Sequence, residues 1–136
     1  MVPDFDTFQV LCEQADKAGR EAVANTRVAP MMVGSALGFS NEIDYSKPTE
    51  YVADGPCGFA WCSVYPEFKG NTRLGKEERA VLEKCGFEKD WTNVRKYSFW
   101  INDFDQSVQK KEAYARAFAK VLSDNGISAS SGSRLD

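Results

Sequence analysis

At 136 residues the chain has the length of a single globular domain with a core of its own, spanning 1–136. Seventeen basic against twenty acidic side chains leave a net charge of −3, which removes bulk electrostatic attraction to nucleic acid or membrane as an organising force. With no histidine anywhere, Ser-His-Asp, Cys-His and histidine–metal chemistries are excluded, and an enzyme would have to run on carboxylates, lysine, cysteine or a bound cation.

The first helix is predicted over 6–23. Asp6 followed by Gln9 reads as its start, and Phe8, Leu11, Cys12, Ala15, Ala18 and Ala22 recur at helical spacing. Gly19 weakens that helix locally by about 1 kcal/mol, and the small residues near its end predict close approach to another element. A weak strand over 28–34 follows, confined to an edge by Pro30, then a polar excursion rich in Gly, Ser and Asn over 35–50. The clearest strand is 58–65, where Phe59, Trp61 and Tyr65 fall on one face and Ala60, Cys62 and Val64 on the other. Pro66 ends it.

A second helix is predicted over 76–85, with Leu74, Val81, Leu82 and Cys85 inward and Lys76, Glu77, Glu78, Arg79, Glu83 and Lys84 mostly in water. Gly86 and Phe87 form its glycine-plus-apolar stop. The strand 96–101 places Tyr97, Phe99 and Ile101 on one face and Ser98 and Trp100 on the other. A third helix ending near Asp124 takes Asp105 or Ser107 as its N-cap and buries Val108, Tyr114, Ala115, Phe118, Val121 and Leu122. Gly126 and Ile127 stop it, a last strand covers 127–130, and Arg134 and Asp136 fall in a terminal tail. Helices between strands predict an α+β (or small α/β) fold, a three- or four-stranded sheet with about three helices packed on it. Phe59, Trp61, Val64, Val81, Leu82, Phe99, Trp100, Tyr114, Phe118 and Leu122 are its expected core.

Cys12, Cys57, Cys62 and Cys85 lack zinc-site spacing and are expected to be reduced and structural, with no metal or other cofactor. No apolar run is long enough for a membrane span and the N-terminus lacks a signal-peptide pattern, so the expected location is cytoplasmic, away from membranes. Walker A spacing is absent around Gly70 and Lys76.

Three places gather groups that recognise ligands. The aromatic residues of the two main strands, with Lys96, Lys110, Lys111 and Arg116 nearby, make either a stacking platform for bases or a second core covered by the first helix. The turn carrying Asn102, Asp103, Asp105, Gln106 and Ser107 is either a ligand site at a strand end or plain helix capping. Arg134 in the tail offers a fork for a carboxylate or phosphate.

The run Asp54-Gly55-Pro56-Cys57-Gly58-Phe59-Ala60-Trp61, then Phe99-Trp100-Ile101, Gln106-Ser107 ahead of Lys110-Lys111-Glu112-Ala113, and the ending Ser133-Arg134-Leu135-Asp136 resemble a group of small uncharacterised proteins of tailed bacteriophages. The likeness extends from about Ala29 to the C-terminus. In that group the central motif usually reads CGFAWV, so Cys62 stands where an apolar valine does, in keeping with a packing role. The resemblance implies a phage-type origin, action in the cytoplasm of a bacterial host and a complete C-terminus, but no reaction.

The function expected is non-catalytic binding of nucleotides or single-stranded nucleic acid through Trp61, Trp100, Gln106, Lys110, Arg116 and Arg134. The alternatives are a protein-binding factor that interferes with a host enzyme or defence system, and a small enzyme using Asp54, Asp103, Asp105 and Lys110. Oligomeric state is left open.

Overall fold

A computed structural model describes residues 1–27, 31–34, 49–52, 56–93, 95–104 and 107–135, with only the backbone described over 31–34 and 49–52. Among the described residues the architecture is α+β: three helices and a four-stranded antiparallel sheet, plus a separate two-stranded pairing. Helix α1 (Phe5–Ala24) is capped by Asp4 rather than Asp6. The Asp4 carboxylate accepts from the Thr7 N–H at 2.8 Å, and that bond holds its pKa below the ordinary value. Strands β1 (Met31–Gly34) and β2 (Thr49–Val52) pair antiparallel, Met31 opposite Val52. Most of the excursion predicted over 35–50 lies outside the described residues.

Strand β3 (Gly58–Val64) is the second-row centre of the main sheet, which runs β4 (Glu88–Lys89), β5 (Tyr97–Trp100), β3, β6 (Ala129–Leu135). All of its pairings are antiparallel: Trp61 lies opposite Trp100 and Cys62 opposite Phe99, while Phe59 lies opposite Arg134 and Trp61 opposite Gly132. The expected alternation of faces holds. Helices α2 (Arg73–Lys84) and α3 (Val108–Asp124) join α1 on the face that carries Ala60, Cys62, Val64 and Tyr97, and Phe8, Leu82, Phe118 and Leu122 complete one core with them. Phe99, partly buried, packs against that core edge-on to Phe87 and Phe118 at 5.1 and 4.9 Å between ring centroids.

Both glycine stops form. Gly86 and Gly126 adopt φ of +95° and +81°, and the Phe87 and Ile127 N–H groups return to the Leu82 and Leu122 carbonyls at 2.9 and 3.1 Å. Ser107 caps α3, accepting from the Lys110 N–H at 3.3 Å.

Four further expectations need correction. Trp100 is 47% exposed rather than core, because its face of the sheet meets no helix among the described residues, and Phe59 and Trp61 are only half-buried. Arg134 is in β6, not in a loose tail, because β6 continues to Leu135 in register with β3. Helix α2 starts ahead of Lys76, where Thr72 accepts from the Gly75 N–H at 3.0 Å. Glu78 is buried, not solvated, and its carboxylate accepts the N–H groups of Val2, Glu67 and Phe68 at 2.9, 3.2 and 2.8 Å. All four cysteines are free; burial pushes the Cys12 and Cys62 thiols up to about 12.

Candidate ligand-binding face

The residues of β3 that point away from the helices, Phe59 and Trp61, meet Trp100 of β5 across the strand pair. The Trp61 and Trp100 rings lie 5.0 Å apart at 49°, and Phe59 stands edge-on to Trp100 at 6.1 Å. Direct opposition on an antiparallel pair brings such rings together, and each pair adds about 0.5–1.5 kcal/mol beyond its buried area. Trp61 is laid flat by its other neighbour. A Cβ at Gly132 would stand 2.6 Å from the Trp61 indole, so only glycine at that position of β6 lets the ring lie across the strand. Beyond the tryptophans the same face turns polar: the Ser63 and Ser98 hydroxyls meet at 2.8 Å, and Tyr65 and Ser130 at 3.4 Å.

Cations ring the aromatic group. The Arg134 guanidinium carbon lies 5.3 Å from the Phe59 ring centroid. The Lys96 ammonium lies 6.0 Å from the Trp61 ring and 3.7 Å from the Asp90 carboxylate, which two bonds from Thr92 hold below its ordinary pKa. Lys111 is 6% exposed; its ammonium donates to the Gly58 carbonyl at 3.3 Å and sits 5.9 Å from the Phe59 ring. A half-open aromatic surface of this kind presents ring faces to a flat partner and positive charge at its borders.

No family model, curated protein or solved structure matches the chain. The face itself therefore carries the functional reading.

Of the sequence-predicted residues, Trp61, Trp100 and Arg134 come together here. Arg116 pairs with Glu112 at 3.1 Å on α3, the helix on the opposite side of the sheet. Lys110 occupies the first turn of that helix, with its N–H on Ser107. Gln106, Asp105 and Asp54 lie outside the described residues. Asp103 is held by Arg20 at 3.0 Å and closes α1 onto the turn after β5. In that turn Phe104 takes a left-handed φ of +70° and packs on Tyr114 at 5.5 Å.

Gly132 belongs to the face and was missing from the prediction, whereas Phe59 and Lys111 were read as part of the aromatic platform but not named among the ligand-binding residues. The signal for Gly132 and Arg134 was a period of two, Ser130-Gly132-Arg134, hidden by a Ser/Gly composition that reads as loop. Among the described residues, no helix is long and apolar enough to cross a membrane, and no group of three His, Cys, Asp or Glu side chains is placed to hold a metal ion.

Proposed function

We propose that the protein binds nucleotides or single-stranded nucleic acid, without chemistry, on the outward face of its sheet. The observation that carries this reading is the Trp61–Trp100 pair, half-open on a face that meets no helix among the described residues and bordered by Arg134 and Lys96. Every base has a π-face, so stacking on tryptophan contributes roughly 1–3 kcal/mol per base without demanding a sequence. Two stacked bases and a phosphate contact would give micromolar binding. The resemblance to phage proteins would put this binding in the cytoplasm of a bacterial host.

Titration of tryptophan fluorescence with short single-stranded oligonucleotides and mononucleotides tests it. Trp91 is fully exposed, so a Trp91→Phe background removes a signal that has nothing to do with the face. Quenching at micromolar oligonucleotide is the expected result. With two phosphates neutralised, by Arg134 and Lys96, affinity should fall about seven-fold between roughly 50 and 200 mM salt. Absence of any response at about millimolar ligand, with a silent calorimetric titration, would transfer the face to a protein partner.

A further inference from the structure

A second cleft lies on the opposite side of the sheet, away from the tryptophans. It encloses about 520 Å³ between the loop that follows β3, helix α2 and the start of the β4–β5 hairpin. Lys69, Arg79, Lys89 and Arg95 line it, with Phe68 and Tyr97 as apolar walls. Four cations converge from four segments on a chain whose net charge is −3. The acids nearby are already engaged: Glu67 faces the Met1 ammonium at 3.1 Å, and Glu83 takes the Tyr97 hydroxyl, whose pKa burial and that carboxylate both raise. Among the described residues, Lys69, Lys89 and Arg95 make no ion pair.

The loop is fixed before any ligand arrives. Glu78 holds the Glu67 and Phe68 N–H groups, and Arg79 spends Nη1 on the Phe68 and Gly75 carbonyls at 2.8 and 2.9 Å. Thr72 bonds the Lys69 carbonyl from its N–H and its hydroxyl at 3.1 and 2.6 Å. That carbonyl sits so near Gly75 that a Cβ there would stand 1.9 Å from it. Using one nitrogen as anchor leaves the remaining donors of the Arg79 fork for an anion. Like charges brought together from four segments repel one another, and a bound anion relieves that repulsion.

We infer that this cleft binds a small phosphorylated molecule, with the phosphates among Arg79, Lys89, Arg95 and Lys69 and an apolar body against Phe68 and Tyr97. Two arginine forks and two ammonium groups reaching in from separate directions suit the many acceptor oxygens of a tetrahedral phosphate better than one flat carboxylate.

The probe is inorganic pyrophosphate, titrated calorimetrically into the full chain, with citrate as a carboxylate of comparable charge. Pyrophosphate should bind with a Kd below about 1 mM, and citrate at least ten-fold more weakly. Lys89 and Arg95 are exposed, so the double variant Lys89→Gln/Arg95→Gln keeps the fold, checked by circular dichroism, and should bind pyrophosphate at least ten-fold more weakly. Trp100→Ala should bind it like the wild type, and the double variant should keep the oligonucleotide response, so the two sites fail separately. Unchanged pyrophosphate affinity in the double variant, equal binding of citrate, or no heat at about 5 mM pyrophosphate would each overturn the inference.

Discussion

Glu78 shows what one residue does to this fold. It follows Glu77 in the polar run Lys76-Glu77-Glu78-Arg79, which reads as a solvated helix face. Its position nonetheless lies four residues after Leu74 and four before Leu82, on the apolar stripe, and that spacing was the legible sign of burial. What the sequence did not contain was the set of donors waiting there: Val2, Glu67 and Phe68 are brought together only by the tertiary fold. Hydrogen bonds to a charged acceptor contribute about 1.5–3 kcal/mol each when compared with an unmet partner. Glu78→Gln turns an NH₂ group toward one or more of those donors and should destabilise by about 2 kcal/mol or more. Glu77→Gln, an exposed change, should stay within about 0.5 kcal/mol. Urea denaturation of both variants decides it; equal midpoints would show that the buried carboxylate is not a clamp.

At the scale of elements, the helices were legible and the sheet edges were not. The three described helices carry apolar stripes and N-cap side chains, and α2 and α3 end in glycine stops, each a local signal, and their existence and most of their bounds followed from these. Strand β4 has only two residues and both are exposed, so no periodicity marks it; β6 is exposed along most of its length and is held by pairing with β3 rather than by burial. The small residues at the end of α1 did announce a close crossing. Gly19 meets the Tyr114 ring, and a Cβ there would stand 2.5 Å from a ring carbon. Tyr114 in turn donates its hydroxyl to Asp16, and burial followed by that carboxylate raises the phenol pKa. Gly19→Ala therefore sets two effects against each other. Helix propensity gains about 1 kcal/mol, while overpacking a tight contact costs typically 1–3 kcal/mol. The contact should win, giving a lower Tm than wild type. Gly19→Ala/Tyr114→Leu, which trims the ring, should recover part of the loss, and a Gly19→Ala protein more stable than wild type would show that α1 and α3 have room to part.

For the molecule as a whole, the sheet is one layer with two assignments, and neighbouring residues of β5 separate them. Phe99 faces inward among Phe87 and Phe118, whereas Trp100 faces outward beside Trp61 and Phe59. Strand alternation put them on opposite faces from the sequence alone, but whether the aromatic face would be covered as well was not readable, since both faces are apolar. Removing Phe99 opens a cavity among packed rings, and Phe→Ala in such a core costs about 3–5 kcal/mol. Removing Trp100 loses one or two ring pairs at a half-open site, about 1–2 kcal/mol. Stability should therefore rank wild type, then Trp100→Ala, then Phe99→Ala, with Tm separations of several degrees between the two variants. Oligonucleotide affinity should rank the other way: Trp100→Ala at least roughly ten-fold weaker, and Phe99→Ala, assayed well below its Tm, close to wild type. The crossing of the two orders is the test, because a merely structural aromatic face would make stability and binding fall together. If Trp100→Ala destabilises as much as Phe99→Ala, the outward face is a second core; if it binds oligonucleotide as wild type does, the ligand lies elsewhere on the molecule.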